Sequence, residues 1–438
     1  MQTLYNHIFI HRFRKLNWLN NNLTKDNHWL FESVEKYKPL DPITKENILD
    51  YCIIEEDKNE QLRLLAQDSW AAHNHVWLTK MIEVDNPIRE LVALFWHHHI
   101  PSSIGKNFEH GSLLLEIFRK YGLGNARELF VKVAANPAMI YYLDGHHSHK
   151  NNPNENFPRE LLELFLLGEG NYTLQDVKEA ARAFTGRRFN HKDYPYELYI
   201  DESAYDKKEK EFLGEKGFFN GEDIIDICLK QKQCARHLTM SIIEFFIAEN
   251  PPKELVEDCA EFYYHNNYKT DALLKYIFQH SMVNTNTKWI KPKVKTPVEL
   301  LVCFCRQTGY ELKGIKTTRN LLRDMGQTLF TPPNVGGWPR GESWFTSNHV
   351  FYRIFGLTAL IHISNRQHPK DSLVYKVKSR IDRPNLRSFR WNHDGHWNQN
   401  KYQRVLSDRN IKVPRWILGE SNSMTLKECL ESENYQYH

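Results

Sequence analysis

The sequence predicts a mainly α, multi-helix globular domain that carries long, functional-looking loops. Apolar residues make up 41% of the 438 residues and aromatic residues 13%, which is enough for a sizeable core and too much for a disordered chain. Apolar side chains recur at the spacing of an amphipathic helix, about 3.6 residues, whereas long alternating strand patterns are scarce. Prolines and capping residues also stand where such helices would begin.

The helical spacing can be followed along the middle of the chain. Pro87, Pro158 and Pro297 occupy predicted first turns, where a missing N–H costs nothing. Thr173 precedes another helix and Asp176 follows three residues later, which indicates a capping box. Among the predicted helices are 87–99, 174–185, 240–249, 254–264, 271–280, 297–307 and 317–326.

Loops and charge divide the chain further. The loops at 144–156 and 327–344 are longer than a helical bundle needs, and such loops are often functional. Apolar spacing weakens near residue 365, so we expect a helical domain over 1–364 and an extension over 365–438. Residues 365–415 hold 13 lysines and arginines against 4 acidic residues, interleaved with aromatics. This composition suits nucleic acid or another polyanion, or else a solvated extension.

Several classes of protein are disfavoured by what the sequence lacks. No apolar stretch approaches the length of about 18 residues that a spanning helix needs. The N-terminal apolar run is interrupted by Asn6 and His7, unlike a secretory signal, so we expect a cytoplasmic location and no membrane insertion. The seven cysteines form no Cys-x-x-Cys pair and are expected to be reduced. No P-loop, dinucleotide fingerprint or Gly-x-Ser-x-Gly elbow is found.

Five blocks, in order and at consistent spacing, carry a family resemblance. They read Phe-Trp-His-His-His at 95–99, Asn-Pro-Ala-Met at 136–139, Pro-Asn-Glu-Asn-Phe-Pro-Arg-Glu-Leu-Leu-Glu-Leu at 153–164, Ala-Arg-Ala-Phe-Thr-Gly at 181–186 and Pro-Pro-Asn-Val-Gly-Gly-Trp-Pro at 332–339. The chain resembles the bacterial "domain of unknown function 1800" family over about residues 70–360. The resemblance implies a helical fold and supplies no reaction.

The resemblance also implies a partner and shows two departures. Family genes often neighbour those of a phosphatase- and sulfatase-like family, the "domain of unknown function 1501", which is therefore a candidate partner. Members are often exported. His98 stands where the family has asparagine, and Tyr205 stands where it has histidine. Chemistry that depended on the second of these positions would be altered in this chain.

The first candidate site is the start of the helix at 154–163. Glu155 and Glu160 lie near the positive end of the helix dipole, and Arg159 and Glu163 share one polar face. Paired carboxylates suit acid–base catalysis or a divalent metal, with Arg159 orienting them. The alternative is a capped helix with one ordinary ion pair.

Polar side chains elsewhere in the blocks are candidate binding residues. Asn154 and Asn156 flank Glu155, and Asn156 can cap the helix. Arg182 and Asn334 lie in the later blocks. Trp338, between a glycine and a proline, could stack on a ligand, or plug the core and fix its loop.

His97 and His99 are candidate metal ligands at the end of a helix, while His98 falls on the apolar stripe and is expected in the core. The alternative for all three is a structural hydrogen bond.

Our leading hypothesis is a carboxylate-rich, hydrolase-like pocket, with or without a divalent metal, where the helix end at 97–99 meets the helix start at 154–163 and the Trp338 loop. The other hypotheses are a non-enzymatic helical scaffold that acts with the phosphatase-like partner, and polyanion binding through 365–415.

Overall fold

The structure of the chain is a computed structural model that describes residues 69–353. The undescribed positions inside this range are 85–86, 104–107, 191–195, 285–286, 291–292, 309, 311, 313–314, 347–348 and 350–351. The predicted boundary near residue 365 and the basic segment 365–415 lie outside the described residues.

The mainly α fold is confirmed, since fourteen α-helices account for most of the described residues. In chain order they are α1 (Ser69–Glu83), α2 (Ile88–His99), α3 (Phe108–Tyr121), α4 (Ala126–Ala134), α5 (Pro137–Tyr142), α6 (Asn156–Glu160), α7 (Leu174–Ala183), α8 (Gly221–Lys230), α9 (Lys232–Phe246), α10 (Lys253–His265), α11 (Thr270–Gln279), α12 (Ser281–Asn284), α13 (Pro297–Thr308) and α14 (Ile315–Asp324). A π-helical turn, Leu161–Leu166, continues α6. No helix among the described residues is long and apolar enough to cross a membrane.

Helix boundaries follow the local capping chemistry. The predicted box at α7 is confirmed, because the Thr173 side chain accepts from Asp176 N–H and the Asp176 side chain accepts from Thr173 N–H. The segments predicted at 254–264, 271–280, 297–307 and 317–326 agree with α10, α11, α13 and α14 to within two residues at each end. The segment predicted at 240–249 covers only the last part of α9, whose first turns mix small apolar residues with polar ones.

The helix α2 lies at the centre of the core, since Arg89 alone among its residues is not buried. Its start is anchored by a buried ion pair, with Arg119 Nη2 of α3 2.9 Å from Glu90 Oε2. The indole of Trp77 donates to the same carboxylate oxygen at 2.9 Å. Around it, α3 and α9 pack against α2, and α10 packs along α9. This packing fixes where α2 ends.

Two small antiparallel hairpins complete the described fold. The strand β1 (Arg187–Phe189) pairs with β2 (Leu198–Ile200), and β3 (Lys210–Phe212) pairs with β4 (Glu215–Gly217). The second hairpin packs against α7, where the Asp176 carboxylate accepts from Leu213 N–H at 2.8 Å. Strands of three residues are too short to produce a clear alternating pattern in a sequence.

Candidate functional site

The end of α2 lies against the loop at 332–344. Gly337 has a φ of +84°, and a Cβ there would stand 3.0 Å from the His98 carbonyl oxygen, so the backbone approach requires glycine. The next residue, Trp338, is buried, with its ring 4.9 Å from that of His97 and 6.1 Å from that of His98. The Gly-Gly-Trp sequence therefore packs the loop closely against the end of α2.

A cavity of about 180 Å³ opens beside this contact, and we call it the helix-end pocket. It lies where α2, α9, the segment before α13 and the 332–344 loop meet. Its aromatic and aliphatic lining consists of Phe95, Phe245, Val294, Pro339 and Trp344. Its polar lining consists of His98, His99, Ser241, Glu244, Glu249, Asn250, Lys293, Thr296 and Arg340.

Charges of both signs lie around the pocket. Arg340 Nη1 stands 3.4 Å from Glu244 Oε2. Lys293 Nζ donates to the Phe245 carbonyl at the end of α9, at 2.6 Å. The Glu249 carboxylate lies over Gly341, where an added Cβ would come within 2.6 Å of it. Burial raises the pKa of Glu244, and Glu249 adds to this, while Arg340 and Lys293 oppose it.

The histidines at the pocket are uncharged at neutral pH. Burial holds the pKa of His98 well below 6.5, and Arg340 and Lys293 lower it further. Burial lowers the pKa of His99 to about 3, helped by the nearby His237. Among the described residues, no hydrogen bond reaches the His98 ring, although the residue is only 7% exposed. A neutral imidazole with both nitrogens unused thus lines the pocket.

The other two histidines of α2 hold backbone in place. Phe330 N–H donates to His97 Nε2 at 2.9 Å. His99 Nε2 donates to the Phe165 carbonyl at 2.9 Å, and His237 Nε2 donates to that of Leu164 at 2.7 Å. Within the described part of the chain, no group of three or more His, Cys, Asp or Glu residues is placed to hold a metal ion.

The π-helical turn after α6 explains why His99 has a carbonyl to bind. A π turn shifts the hydrogen-bonding register, so Leu167 N–H and Gly168 N–H both donate to the Leu162 carbonyl. The carbonyls of Leu164 and Phe165 are then capped by the two imidazoles. The helix that carries the Asn-Glu-Asn block is therefore tied directly to the wall of the helix-end pocket.

The carboxylates of that block have other partners. Arg159 Nη2 pairs with Glu155 Oε2 at 2.8 Å on a half-exposed surface. Tyr172 donates its hydroxyl proton to Glu163 Oε2 at 2.7 Å, which raises the pKa of Tyr172 further after burial. Burial raises the pKa of Glu160, and the neighbouring Glu163 adds to it. These four charged side chains are absent from the lining of the helix-end pocket.

The two asparagines of the block are local turn residues. Asn154 Oδ1 accepts from Asn156 N–H at 2.8 Å, and Asn154 Nδ2 donates to the Asp144 carbonyl at 3.2 Å. The prediction that Asn156 caps the helix is wrong, because α6 already begins at Asn156 and Glu155 stands at the N-cap without a side-chain cap hydrogen bond. Asn334 plays the same part as Asn154 in its own loop, where its side chain accepts from Gly336 N–H at 2.9 Å.

Arg182 belongs to a set of polar residues that we call the Arg182 network, formed by Asp176, Glu179, Arg182, Asp206 and Lys210. Its guanidinium donates to Asp206 at 2.8 Å, to Glu179 at 2.5 Å and to the Glu209 carbonyl at 3.0 Å. Lys210 Nζ donates to the Asp206 carbonyl at 2.8 Å. This network holds the second hairpin against α7.

The family model described as "Protein of unknown function (DUF1800)" matches residues 11–419. The chain belongs to this family. The match extends beyond the blocks at 95–339 on which the resemblance was based. No curated protein and no solved structure matches the chain.

Within this DUF1800 chain, the structure brings together two of the three predicted motifs. His97, His98 and Trp338 are in ring contact, and His99 reaches the third motif through the Phe165 carbonyl. Sequence reasoning missed Glu244, Lys293 and Arg340, which come from three separated segments without a motif. One usable signal was that Arg340 directly follows the family block at 332–339.

Proposed function

We propose that this protein binds a small organic molecule in the helix-end pocket and carries out hydrolase-like acid–base chemistry on it. The observation that carries the proposal is that a carboxyl group of raised pKa, Glu244, and an uncharged imidazole, His98, line one cavity. Titratable groups whose environments shift their pKa values in this way are typical of acid–base sites. The proposal keeps the carboxylate-rich pocket expected from the sequence and changes which carboxylates line it.

Each lining group has a role in this proposal. Glu244 donates a proton to the leaving group, because burial raises its pKa, so that it holds a proton more firmly than an ordinary carboxyl group does. His98 accepts a hydrogen bond from the attacking water and orients it, since its ring is neutral and makes no other hydrogen bond among the described residues; the proton of that water is released to solvent as the water adds. Arg340 orients the bound molecule beside Glu244. The helix that carries the Asn-Glu-Asn block fixes the ring of His99 in the pocket wall, because the Phe165 carbonyl accepts a hydrogen bond from that ring.

The test combines ligand discovery with one substitution. Purified protein is screened by thermal shift against small organic acids, esters and amides, and the compounds that bind are assayed for hydrolysis. Glu244→Gln should reduce turnover by about a hundredfold or more, because general acid–base catalysis contributes at least that much. The matched control is Glu257→Gln, since Glu257 pairs with Arg236 of α9 outside the pocket lining. Equal turnover in the Glu244 variant and wild type would contradict the proposal.

A second candidate function is a non-enzymatic scaffold for a phosphatase- or sulfatase-like partner. It is favoured by the Arg182 network and the turn formed by Asn154, in which family-block residues hold backbone. A purified partner of that class should then bind the chain equally well with or without Glu244→Gln. Polyanion binding through 365–415 stays a prediction, because that segment lies outside the described residues.

A further inference from the structure

We propose that the helix-end pocket takes a small organic acid, whose carboxylate replaces Glu244 as the partner of Arg340. This inference rests on the proposed function and names the chemical class of the ligand. Four features of the pocket support it: the free N–H donors of Arg340, the ring of His98, the size and walls of the cavity, and the charges that face Glu244.

Arg340 is only weakly engaged by the protein. Its contact with Glu244 is 3.4 Å long, whereas charge-assisted hydrogen bonds are usually about 2.7–2.9 Å. A guanidinium has five N–H donors, and this contact is the one hydrogen bond that the Arg340 side chain makes among the described residues. Its side chain is 51% exposed, against 20% for that of Glu244. A ligand carboxylate could therefore bind Arg340 with both oxygens.

His98 offers the second polar contact. The ring lines the cavity and makes no hydrogen bond to the described residues, so both nitrogens are left for water or a ligand. A ligand that hydrogen-bonds to the ring takes the place of that water. The ring also stacks beside Trp338, which restricts its orientation toward the cavity that it lines.

The cavity suits a ring-sized molecule with an apolar side. Its volume is about 180 Å³, and an apolar cavity of about 150 Å³ is known to hold a benzene molecule. Phe95, Phe245, Val294 and Trp344 supply apolar contact for the carbon part of such a ligand. An inorganic ion would leave those walls unused, which is why the observations favour an organic acid.

The charges that face Glu244 predict that an anion binds together with a proton. These groups are Arg340 from the loop, Lys293 from the segment before α13, Glu249 after α9, and His98 and His99 from α2. A bound carboxylate neutralises the cations that lower the pKa of Glu244, so this pKa rises further on binding. The same negative charge raises the pKa of His98. Affinity for the anion should therefore fall as the pH rises.

The first experiment compares three probes that share a phenyl ring and carry one substituent that is negative, neutral or positive. Benzoate, benzamide and benzamidine are titrated calorimetrically into the full chain between about pH 5 and pH 8, where a carboxylate ligand stays ionised. We expect benzoate to bind best, more weakly at the higher pH, and with proton uptake seen as a dependence on the buffer's ionisation enthalpy. Preference for benzamide or benzamidine would overturn the organic acid and leave the proposed function standing. Binding of none of the three would also overturn it, whereas a library ligand of another class would still support the proposed function.

Two substitutions separate Arg340 from general charge effects. Arg340→Gln should weaken benzoate binding by about tenfold or more, since the loss of even one charge-assisted hydrogen bond is expected to cost that much. Arg236→Gln removes an exposed arginine that pairs with Glu257 at 2.6 Å, and should leave the affinity unchanged. Glu244→Gln should strengthen benzoate binding and reduce its pH dependence, although the same substitution is expected to reduce turnover. Equal affinities in wild type and Arg340→Gln would overturn the proposal, and circular dichroism of each variant confirms that it is folded.

Discussion

The helix-end pocket and the Arg182 network both concentrate charged side chains, and they differ in how far the chain satisfies those charges. Arg182 makes hydrogen bonds of 2.5–3.0 Å to two carboxylates and a carbonyl. Arg340 makes one contact of 3.4 Å, and the His98 ring makes none among the described residues. The hydrogen-bonding groups of the Arg182 network are bonded to other protein groups, whereas Arg340 and His98 have donors and acceptors left for a ligand.

This difference changes how polar family motifs should be interpreted. A surplus of polar residues in a sequence block does not by itself indicate a site, because the chain can absorb the surplus in turns, caps and hairpin contacts. The Asn-Glu-Asn block lies between the two regions. The side chains of Asn154 and Glu155 have local partners, but the side chain of Glu160 makes no hydrogen bond within the described part of the chain and has a raised pKa.

The largest expected effect comes from breaking the network. Arg182→Ala leaves Asp206, which is only 8% exposed, without its cationic partner. Removing one member of a largely buried ion pair costs about 3 kcal/mol, and we expect a loss of this size in the free energy of unfolding, measured by urea titration. Benzoate affinity should not change in the folded variant. The control Lys207→Ala removes a pair whose members are more than 60% exposed, and should cost about 0–1 kcal/mol.

If Arg182→Ala lowered the free energy of unfolding as little as Lys207→Ala does, the Arg182 network would contribute no more than an exposed ion pair. Its hydrogen bonds would then not distinguish it from the helix-end pocket.

The sequence predicted the helices much better than the site, for a physical reason. Apolar spacing and caps such as Thr173 with Asp176 are local, so a helix can be located from a short window. The pocket depends on α9 meeting the 332–344 loop, which is set by tertiary packing. In the sequence, Glu244 is an ordinary polar residue on an amphipathic helix, and only the folded chain brings Arg340 beside it. His98 was correctly placed on a buried stripe, but the cavity next to it could not be read from spacing.

A smaller effect should separate two neighbouring histidines. His99→Asn removes the donor to the Phe165 carbonyl, and a buried carbonyl left unsatisfied costs about 1–3 kcal/mol. His98→Asn removes a ring that makes no hydrogen bond among the described residues and loses only its packing against Trp338 and Phe245, so the loss in the free energy of unfolding should be smaller than for His99→Asn. Ligand binding should weaken in both variants. Equal losses of stability would mean that His98 is as much a structural residue as His99.

The smallest expected effect tests the intermediate region. Glu160 has a raised pKa because of burial and Glu163, so its folded form binds a proton more tightly than the unfolded chain does. Its contribution to stability is therefore lost as the pH rises above the unfolded pKa toward and through the folded one. Glu160→Gln should raise the melting temperature slightly at pH 7, and this gain should vanish in acid.

Glu155→Gln is the matched control, because it breaks the pair with Arg159 and should lower the melting temperature slightly at pH 7. Thermal melts of both variants from acid to neutral pH decide the sign. A lower melting temperature for Glu160→Gln at pH 7 would mean that the ionised carboxylate makes a favourable interaction. The Asn-Glu-Asn block would then have a structural role, as the Arg182 network has, since other protein groups would stabilise the charge of Glu160.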